Sequence, residues 1–572
     1  MVPSQGAGLD DHNVPMSTDE PQGTGWPPDE VSFPLLTEAQ IARLKAHAEP
    51  ADFEAGRVLY RAGEGDYDFF GIGSGEVEIV REAAPGLPEE VVATLKQGQF
   101  LGELNLLTGQ LAYLTARTAT PARLYRMPRS TFRRVMAEDA ELSDVVLSAF
   151  MARRELLRHN EAAKSVEILG EEVSAPTLAL RNWAARLRLP HAWVDADLEE
   201  GRALSQLLKA SADDLPIVVT PTKVLLKATP GLLAEDLGLV YREVPGRVFD
   251  LVVVGGGPAG LAAAVYGASE GLDTVLVESN SPGGQAGATT RIENYLGFPR
   301  GVSGQDLTAK ALLQAVKFGA LVNSPCEACR LETVDGQLVI TLSTGAQVPA
   351  HAVVVATGAR YGKLPLERWS EFEGTSIHYA ATELEARSCE GAEVAVIGGA
   401  NSAGQAAIFL AGKGSLVRLI CRGDDLSKKM SRYLVDRVES HPRIEVHLSS
   451  EVVALNGAKH LESITVANPA DGTSNDYICQ GLFCFIGAEP STGWLDGVER
   501  DQSGFVYTGT ALPEEAARHM FEVLGRSPFP FESSVPGVFA AGDVRRGSMK
   551  RVAAAVGEGS SAVSWVHQAV GK

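Results

Sequence analysis

Phe249 to Ser279 reads FDLVVVGGGPAGLAAAVYGASEGLDTVLVES: a short apolar run, a glycine turn, an apolar stretch at helical spacing, and a second apolar run that closes on an acid. FDLVVV is a short apolar run that reads as a strand leading into the turn. Gly255, Gly257 and Gly260 follow it in GxGxxG register, with Pro258 and Ala259 between them. Glycines there permit a tight turn and a close approach of backbone to pyrophosphate, and the following helix would present its N–H groups to the same anion. Glu278 stands 18 residues beyond Gly260, where a carboxylate accepts ribose hydroxyls. Strand, turn, helix, strand and acid are all present, so a merely flexible turn is set aside in favour of a dinucleotide site.

A second fingerprint follows the strand EVAVI: Gly398, Gly399, Ala400, Asn401, Ser402 and Ala403, then the apolar helix AGQAAIFLA and the strand LVRLICR. Alanine replaces glycine at the later small positions and still allows close approach. This second strand ends at Cys421 and Arg422 instead of an acid, and Lys428, Lys429 and Arg432 come next. Cations there suit a 2′-phosphate and favour NADPH, although a solvated basic loop would read the same way. The expected class is multidomain, with two Rossmann-like α/β dinucleotide-binding domains: 248–375 with 488–572, and 376–487 between them.

Working toward the N-terminus, residues 166–242 alternate strand, helix, strand, helix, strand, which predicts one compact α/β unit. Residues 129–163 carry Arg, Glu, Leu and Ala at helical spacing and predict a helical connector reaching 165. From Phe33 to about Met127 a short helix, Glu38 to His47, precedes brief apolar runs split by glycine turns, as in a small antiparallel β-barrel filling 33–150. Residues 1–32 lack apolar periodicity and are expected to be a disordered leader.

The formal net charge of −21 opposes nucleic-acid binding, which needs Lys and Arg against phosphates. No apolar run is long enough to cross a bilayer, and no signal peptide is visible. Six cysteines in 572 residues fit a reducing compartment, so the expectation is a cytoplasmic protein with no membrane partner.

Residues 249–570 resemble the thioredoxin reductase group of flavoproteins. The motifs that carry the resemblance are GGGPAG, GGQ at Gly283 to Gln285, IEN at Ile292 to Asn294, ATG at Ala356 to Gly358, GGANSA, and GVFAAGD at Gly537 to Asp543. The resemblance implies FAD in the first site, lined by Gly284, Gln285, Asn294, Thr357 and Gly358, with Gly542 beside Asp543 and the Asp543 carboxylate on a ribityl hydroxyl. It also implies that Lys550, Arg551 and Val552 begin a C-terminal helix whose dipole faces the isoalloxazine. NADPH would occupy the second site, on Gly398 to Ala403 with Arg422 and Lys428. Relatives commonly form homodimers, which makes a homodimer the expected assembly.

Reductases of this group carry a CxxC pair just before the nucleotide strand of the NADPH domain. Here the stretch is HYAATELEA, with Ala380 and Glu383 at the two cysteine positions, so the internal dithiol relay is in doubt. Ferredoxin-type reductases of the same fold lack the pair too. Cys326 and Cys329 form a CxxC elsewhere, in an extended stretch where residues three apart face opposite ways, and they read as structural. Cys389, Cys421, Cys479 and Cys484 read as small core residues.

The 166–242 unit resembles a thioredoxin or glutaredoxin-like domain, with Ser174 to Thr177 (SAPT) where a CPxC pair would stand and Pro216 at the cis-proline position. Residues 33–150 resemble a cyclic-nucleotide-binding domain, with Gly102 and Glu103 of FLGEL placed for phosphate and ribose 2′-hydroxyl. The family's phosphate arginine is replaced by Ala112, and Arg117 lies nearby on a strand, so a cyclic nucleotide and a degenerate docking barrel both remain open.

The leading expectation is an FAD-dependent NAD(P)H oxidoreductase that passes electrons to a redox partner protein or a small acceptor. The alternative is a flavin- or cyclic-nucleotide-responsive regulatory protein with little turnover. A transcription factor is set aside, because a thioredoxin-like unit in an acidic chain follows the barrel in place of a DNA-reading module.

Overall fold

The computed structural model describes residues 29–83, 88–159, 166–172, 174–240, 246–288, 292, 295–373, 376–379, 381, 386, 389, 391–458 and 460–571. Described structure begins before the expected end of the leader. Helix α1 (Asp29–Ser32) packs down because Arg153 donates to the Ser32 carbonyl oxygen at 2.8 Å, and Ser32 is fully buried. Residues 29–32 of the expected leader are thus helical, held by a contact from 121 positions away that leaves no local signal.

Thr37 and Gln40 cap α2 (Glu38–His47) reciprocally, each side chain accepting from the other's backbone N–H. Seven strands follow: β1 (Glu49–Phe53), β2 (Val58–Tyr60), β3 (Phe69–Ser74), β4 (Val77–Arg81), β5 (Glu90–Leu95), β6 (Thr115–Thr118) and β7 (Ala122–Met127). They pair antiparallel in two sheets, β1-β7-β3 and β2-β6-β4-β5. The short helix α3 (Asn105–Thr108) lies between β5 and β6. Phe69 and Phe100 stack inside on Phe132 and Phe150, supplied by α4 (Arg129–Glu138) and α5 (Ala140–His159), so the connector helices complete the barrel's core.

The middle unit runs β8 (Val166–Gly170), α6 (Ala175–Arg186), β9 (His191–Asp195), α7 (Glu199–Leu208), β10 (Ile217–Val219), β11 (Val224–Leu225) and α8 (Pro230–Asp236). Its sheet order is β11-β10-β8-β9, with β8 and β9 parallel and β10 antiparallel to β8. The Leu215–Pro216 peptide is cis, and Thr177 is buried against Gly170. Tyr113 and Leu114 of the barrel share one apolar cluster with Leu180, Trp183 and Val218, so barrel and middle unit have a joint core.

The first dinucleotide domain is built on β12 (Phe249–Val254), α9 (Pro258–Ser269), β13 (Thr274–Val277), α10 (Gly304–Lys317), β14 (Leu321–Asn323), β15 (Ala328–Val334), β16 (Gln337–Leu342) and β17 (Gln347–Val355). The strand order is β14-β13-β12-β17-β16-β15. Every residue of β12 is buried, as a central strand covered on both faces requires.

From β18 (Ala359–Tyr361) the chain enters a second domain: β19 (Ile377–His378), β20 (Glu393–Ile397), α11 (Asn401–Gly412), β21 (Leu416–Ile420), α12 (Arg432–Glu439) and β22 (Ile444–His447). A meander of β23 (Glu451–Asn456), β24 (Ser463–Asn468) and β25 (Thr473–Ile478) leads to β26 (Gly481–Cys484). The parallel order is β19-β26-β20-β21-β22, and β27 (Ala488–Pro490) returns antiparallel to β18 as a two-strand link. Finally β28 (Val538–Ala540) pairs with β17, and α13 (Val552–Val570) packs on α9. That packing is close: a Cβ on Gly559 would lie 2.0 Å from the Ala259 carbonyl oxygen.

Candidate functional sites

The first glycine turn emerges from β12 at the carboxyl end of a parallel sheet, where open α/β folds place nucleotides. Gly257 caps α9 and Pro258 opens it, and no side chain satisfies the first-turn N–H groups, so the helix presents free donors to the turn. Ala259 is buried, and at Gly260 an added Cβ would lie 1.8 Å from the Gly255 carbonyl oxygen. Glu278 reaches back across the turn: its carboxylate accepts from Gly256 N at 2.6 Å and from Asn280 N at 2.9 Å. This holds the acid at the lip of the glycine turn, where a ribose would meet it.

Gly284 approaches Gly257 so closely that a Cβ on it would stand 2.9 Å from the Gly257 Cα. The two glycine backbones therefore pack directly on one another, with no side chain between them. Gln285 donates to the Ala359 carbonyl oxygen and ties this loop to β18. Thr357 Oγ1 donates to the Ser491 carbonyl oxygen at 2.8 Å, and Ser491 N donates to the Gly358 carbonyl oxygen at 3.2 Å, which fixes the ATG turn. Asn294 lies outside the described residues.

At the other end of the site Gly542 N donates to Glu558 at 2.8 Å, and Arg545 pairs with the same carboxylate at 2.6 Å. Burial pushes the Asp543 carboxyl above the usual carboxylate range, with nearby Lys550 opposing the shift. Lys550 lies 4.6 Å above the Phe505 ring. Arg551 precedes α13, Val552 opens it, and the helix N-terminus has no side-chain cap. The group FAD therefore fits: an uncapped α9 N-terminus behind a glycine turn for the pyrophosphate, an acid where a ribose would lie, a half-buried aspartate for a polyol, and an uncapped helix end for the ring carbonyl.

In the second domain Gly398 takes φ +138°, and a Cβ there would meet the Phe485 carbonyl oxygen at 2.5 Å, so only glycine suits the position. Gly399 lies against the Cys421 thiol, Ala400 caps α11 without a side-chain bond, Ala403 is buried, and Ser402 is exposed. Asn401 Oδ1 accepts from Ser431 N at 2.7 Å, which anchors the loop ahead of α12. Arg422 is exposed at the end of β21, whereas Lys428 pairs with Asp424 at 2.6 Å. Of the two cations expected at a 2′-phosphate, the structure leaves Arg422 in the open and engages Lys428 with an acid.

The sequence of residues 249–559 matches the model of the pyridine nucleotide-disulphide oxidoreductase family. The chain belongs to the pyridine nucleotide-disulphide oxidoreductase family. A thioredoxin reductase of Treponema pallidum is 32% identical over 319 residues, covering 55% of this chain and 94% of that protein. NADPH-dependent thioredoxin reductase 3 of Arabidopsis thaliana is 33% identical, covering 54% of this chain and 56% of that protein. The crystal structure of thioredoxin reductase from Streptococcus pyogenes MGAS5005 superposes with a TM-score of 0.45 at 27% identity, covering 57% of this chain and 98% of that one. The family's reductases use FAD and NADPH, and the chain is an FAD-dependent oxidoreductase of thioredoxin reductase type. Its front half adds a match of residues 50–139 to the cyclic nucleotide-binding domain.

In that front domain the carbonyl oxygen of Gly102 accepts from Arg153 at 2.7 Å. Glu103 is enclosed: Oε1 accepts from Asn105 Nδ2 at 3.1 Å and Tyr113 N at 3.3 Å, and Arg154 stands 4.0 Å from Oε2. Ala112 is buried, and Arg117 spends its guanidinium on Glu78 and Glu89. The sequence reading passed over Arg154, Glu558 and Ser491, whose roles rest on contacts across long stretches of chain. Ala380 and Glu383 lie outside the described residues, and all six cysteines are free.

Proposed function

We propose that this oxidoreductase draws electrons from NADPH through FAD and delivers them to an acceptor that docks at the flavin, without an internal dithiol. The observation that carries the reading is the pairing of two glycine-turn cradles, at Gly257 and Gly398, on parallel sheets joined by the β18–β27 link, with Ala380 and Glu383 at the positions where relatives keep cysteines. When bound, nicotinamide and flavin together supply two-electron transfer from NADPH to the acceptor. The chain's own residues bind and orient. Glu278 takes the adenosine ribose, the α9 and α13 N-termini take the pyrophosphate and the ring carbonyl, and Arg422 takes the 2′-phosphate. The strand order β11-β10-β8-β9 supports a thioredoxin-like middle unit, which without cysteines would hold a partner but exchange no disulfide.

The test is anaerobic reduction of the purified yellow protein. Stoichiometric NADPH is expected to bleach the flavin band within seconds, and a panel of thioredoxins, ferredoxins and quinones then identifies what restores it. Failure to bleach with either nicotinamide would favour the regulatory reading. Because Asn105 and Tyr113 hold Glu103 Oε1 and Arg154 stands 4.0 Å from Oε2, a cyclic nucleotide would have to enter beside a guanidinium carried by α5. A melting curve with millimolar cyclic AMP tests this, and the expected outcome is no stabilisation.

A further inference from the structure

A cleft of about 280 Å³ opens where three parts of the chain meet: the barrel with α5, the end of α6, and α10 with the turn around Pro282 and Gly284. Its size is near the lower end of small-molecule sites, roughly 300 Å³. Met151, Leu187, Leu313 and Val316 give it an apolar floor. Arg154, Arg186, Arg188 and Lys310 also line it, against one lining acid, Glu155. In a chain of net charge −21, four converging cations oppose the general trend of the surface.

The four are not equivalent. Arg188 is engaged, pairing with Glu155 at 3.1 Å and with Asp306. Arg186 and Lys310 are exposed at the rim. Arg154 is the telling one: its side chain is 5% exposed, Nη2 donates to Asn105 and Gln110, and Nε has no acceptor. The Glu103 carboxylate stands 4.0 Å away on the barrel side, and the N–H left unmet beside an apolar cavity leaves room for a further acceptor.

We propose that this cleft binds a small organic anion, with a carboxylate or phosphate head met by Arg154, Arg186 and Lys310 and an apolar body lying on Leu187, Leu313 and Val316. Such a ligand would touch barrel, middle unit and FAD domain at once and stabilise their docked arrangement. Gly284 belongs both to the cleft wall and to the flavin turn, so occupancy is placed to bear on FAD. This inference stands whether or not the redox reading holds.

The test uses the FAD-loaded full-length protein. Octanoate and phenyl phosphate, which carry head and body, are expected to raise the melting temperature by a few degrees at millimolar concentration. Inorganic phosphate and 1-octanol, which each lack one half, are expected to leave it unchanged. If only one of the two amphipathic anions acts, the head chemistry is decided and the proposal stands. The rim variant R186E/K310E should keep its flavin content and basal melting temperature and lose the shift. No shift with either anion, or a shift that survives R186E/K310E, overturns the proposal. A shift lost in E103Q but kept in R186E/K310E would move the site into the barrel and overturn it equally.

Discussion

Gly260 and Asp543 mark the two ends of the proposed FAD site, and each makes a prediction from its own contacts. A side chain at 260 drives into the Gly255 carbonyl, with a Cβ only 1.8 Å from the oxygen. Backbone has to move, at a cost of about 1–3 kcal/mol or more. G260V is expected to purify colourless, with no 450 nm absorbance on an otherwise soluble protein. Asp543 acts through its proton. Burial raises its folded pKa above the ordinary value of about 4, so in the flavin-free protein the folded state holds the proton more tightly than the unfolded chain does. Stability from this group is full at low pH and falls as pH rises from about 4 through the raised value. D543N should flatten that part of the melting-temperature profile of the flavin-free protein, and an unchanged slope would count against the assignment.

Elements carry what single residues cannot. Helix α5 completes the barrel from outside the barrel's sequence: Arg153 donates to the carbonyl oxygens of Ser32, Phe100 and Gly102, tying α1 and the glycine turn to one buried guanidinium. R153M removes all three bonds and leaves buried acceptors unmet, so urea unfolding of the front half should show a loss of about 2–4 kcal/mol. The neighbouring Arg154 reaches Asn105, 49 positions away, and closes the cassette that FLGEL announces. The motif was legible in the residues, but its closure was not, because nothing near Glu103 specifies which distant helix returns over it. At the second site the end of β21 is the proposed specificity element. R422A should raise KM for NADPH about tenfold, the loss of one charge-assisted bond, and leave KM for NADH unchanged.

At the scale of the whole chain the middle unit docks beside Glu278, the proposed ribose acid. Trp183 Nε1 donates to the Asn280 carbonyl oxygen at 3.1 Å, two residues beyond Glu278, and Arg188 pairs with Asp306 on α10. Asp306 is half exposed, so a double-mutant cycle of R188A and D306A should give a coupling of at most about 1 kcal/mol. A value near zero would mean that the ion pair adds nothing to the Trp183 hydrogen bond and the other contacts between the units. Both nucleotide folds were determined by the sequence alone, because strand, glycine turn, helix and acid are consecutive and each is dictated by its neighbours: β12 by its apolar run, the turn by Gly260, the reach of Glu278 by helix length. Tertiary structure decided the rest: that α1 is held by Arg153, that Glu103 is enclosed beside Arg154, and that cations from separate units converge on one cleft. Those contacts join residues far apart along the chain, and local periodicity carries no record of which surfaces meet after the elements have formed.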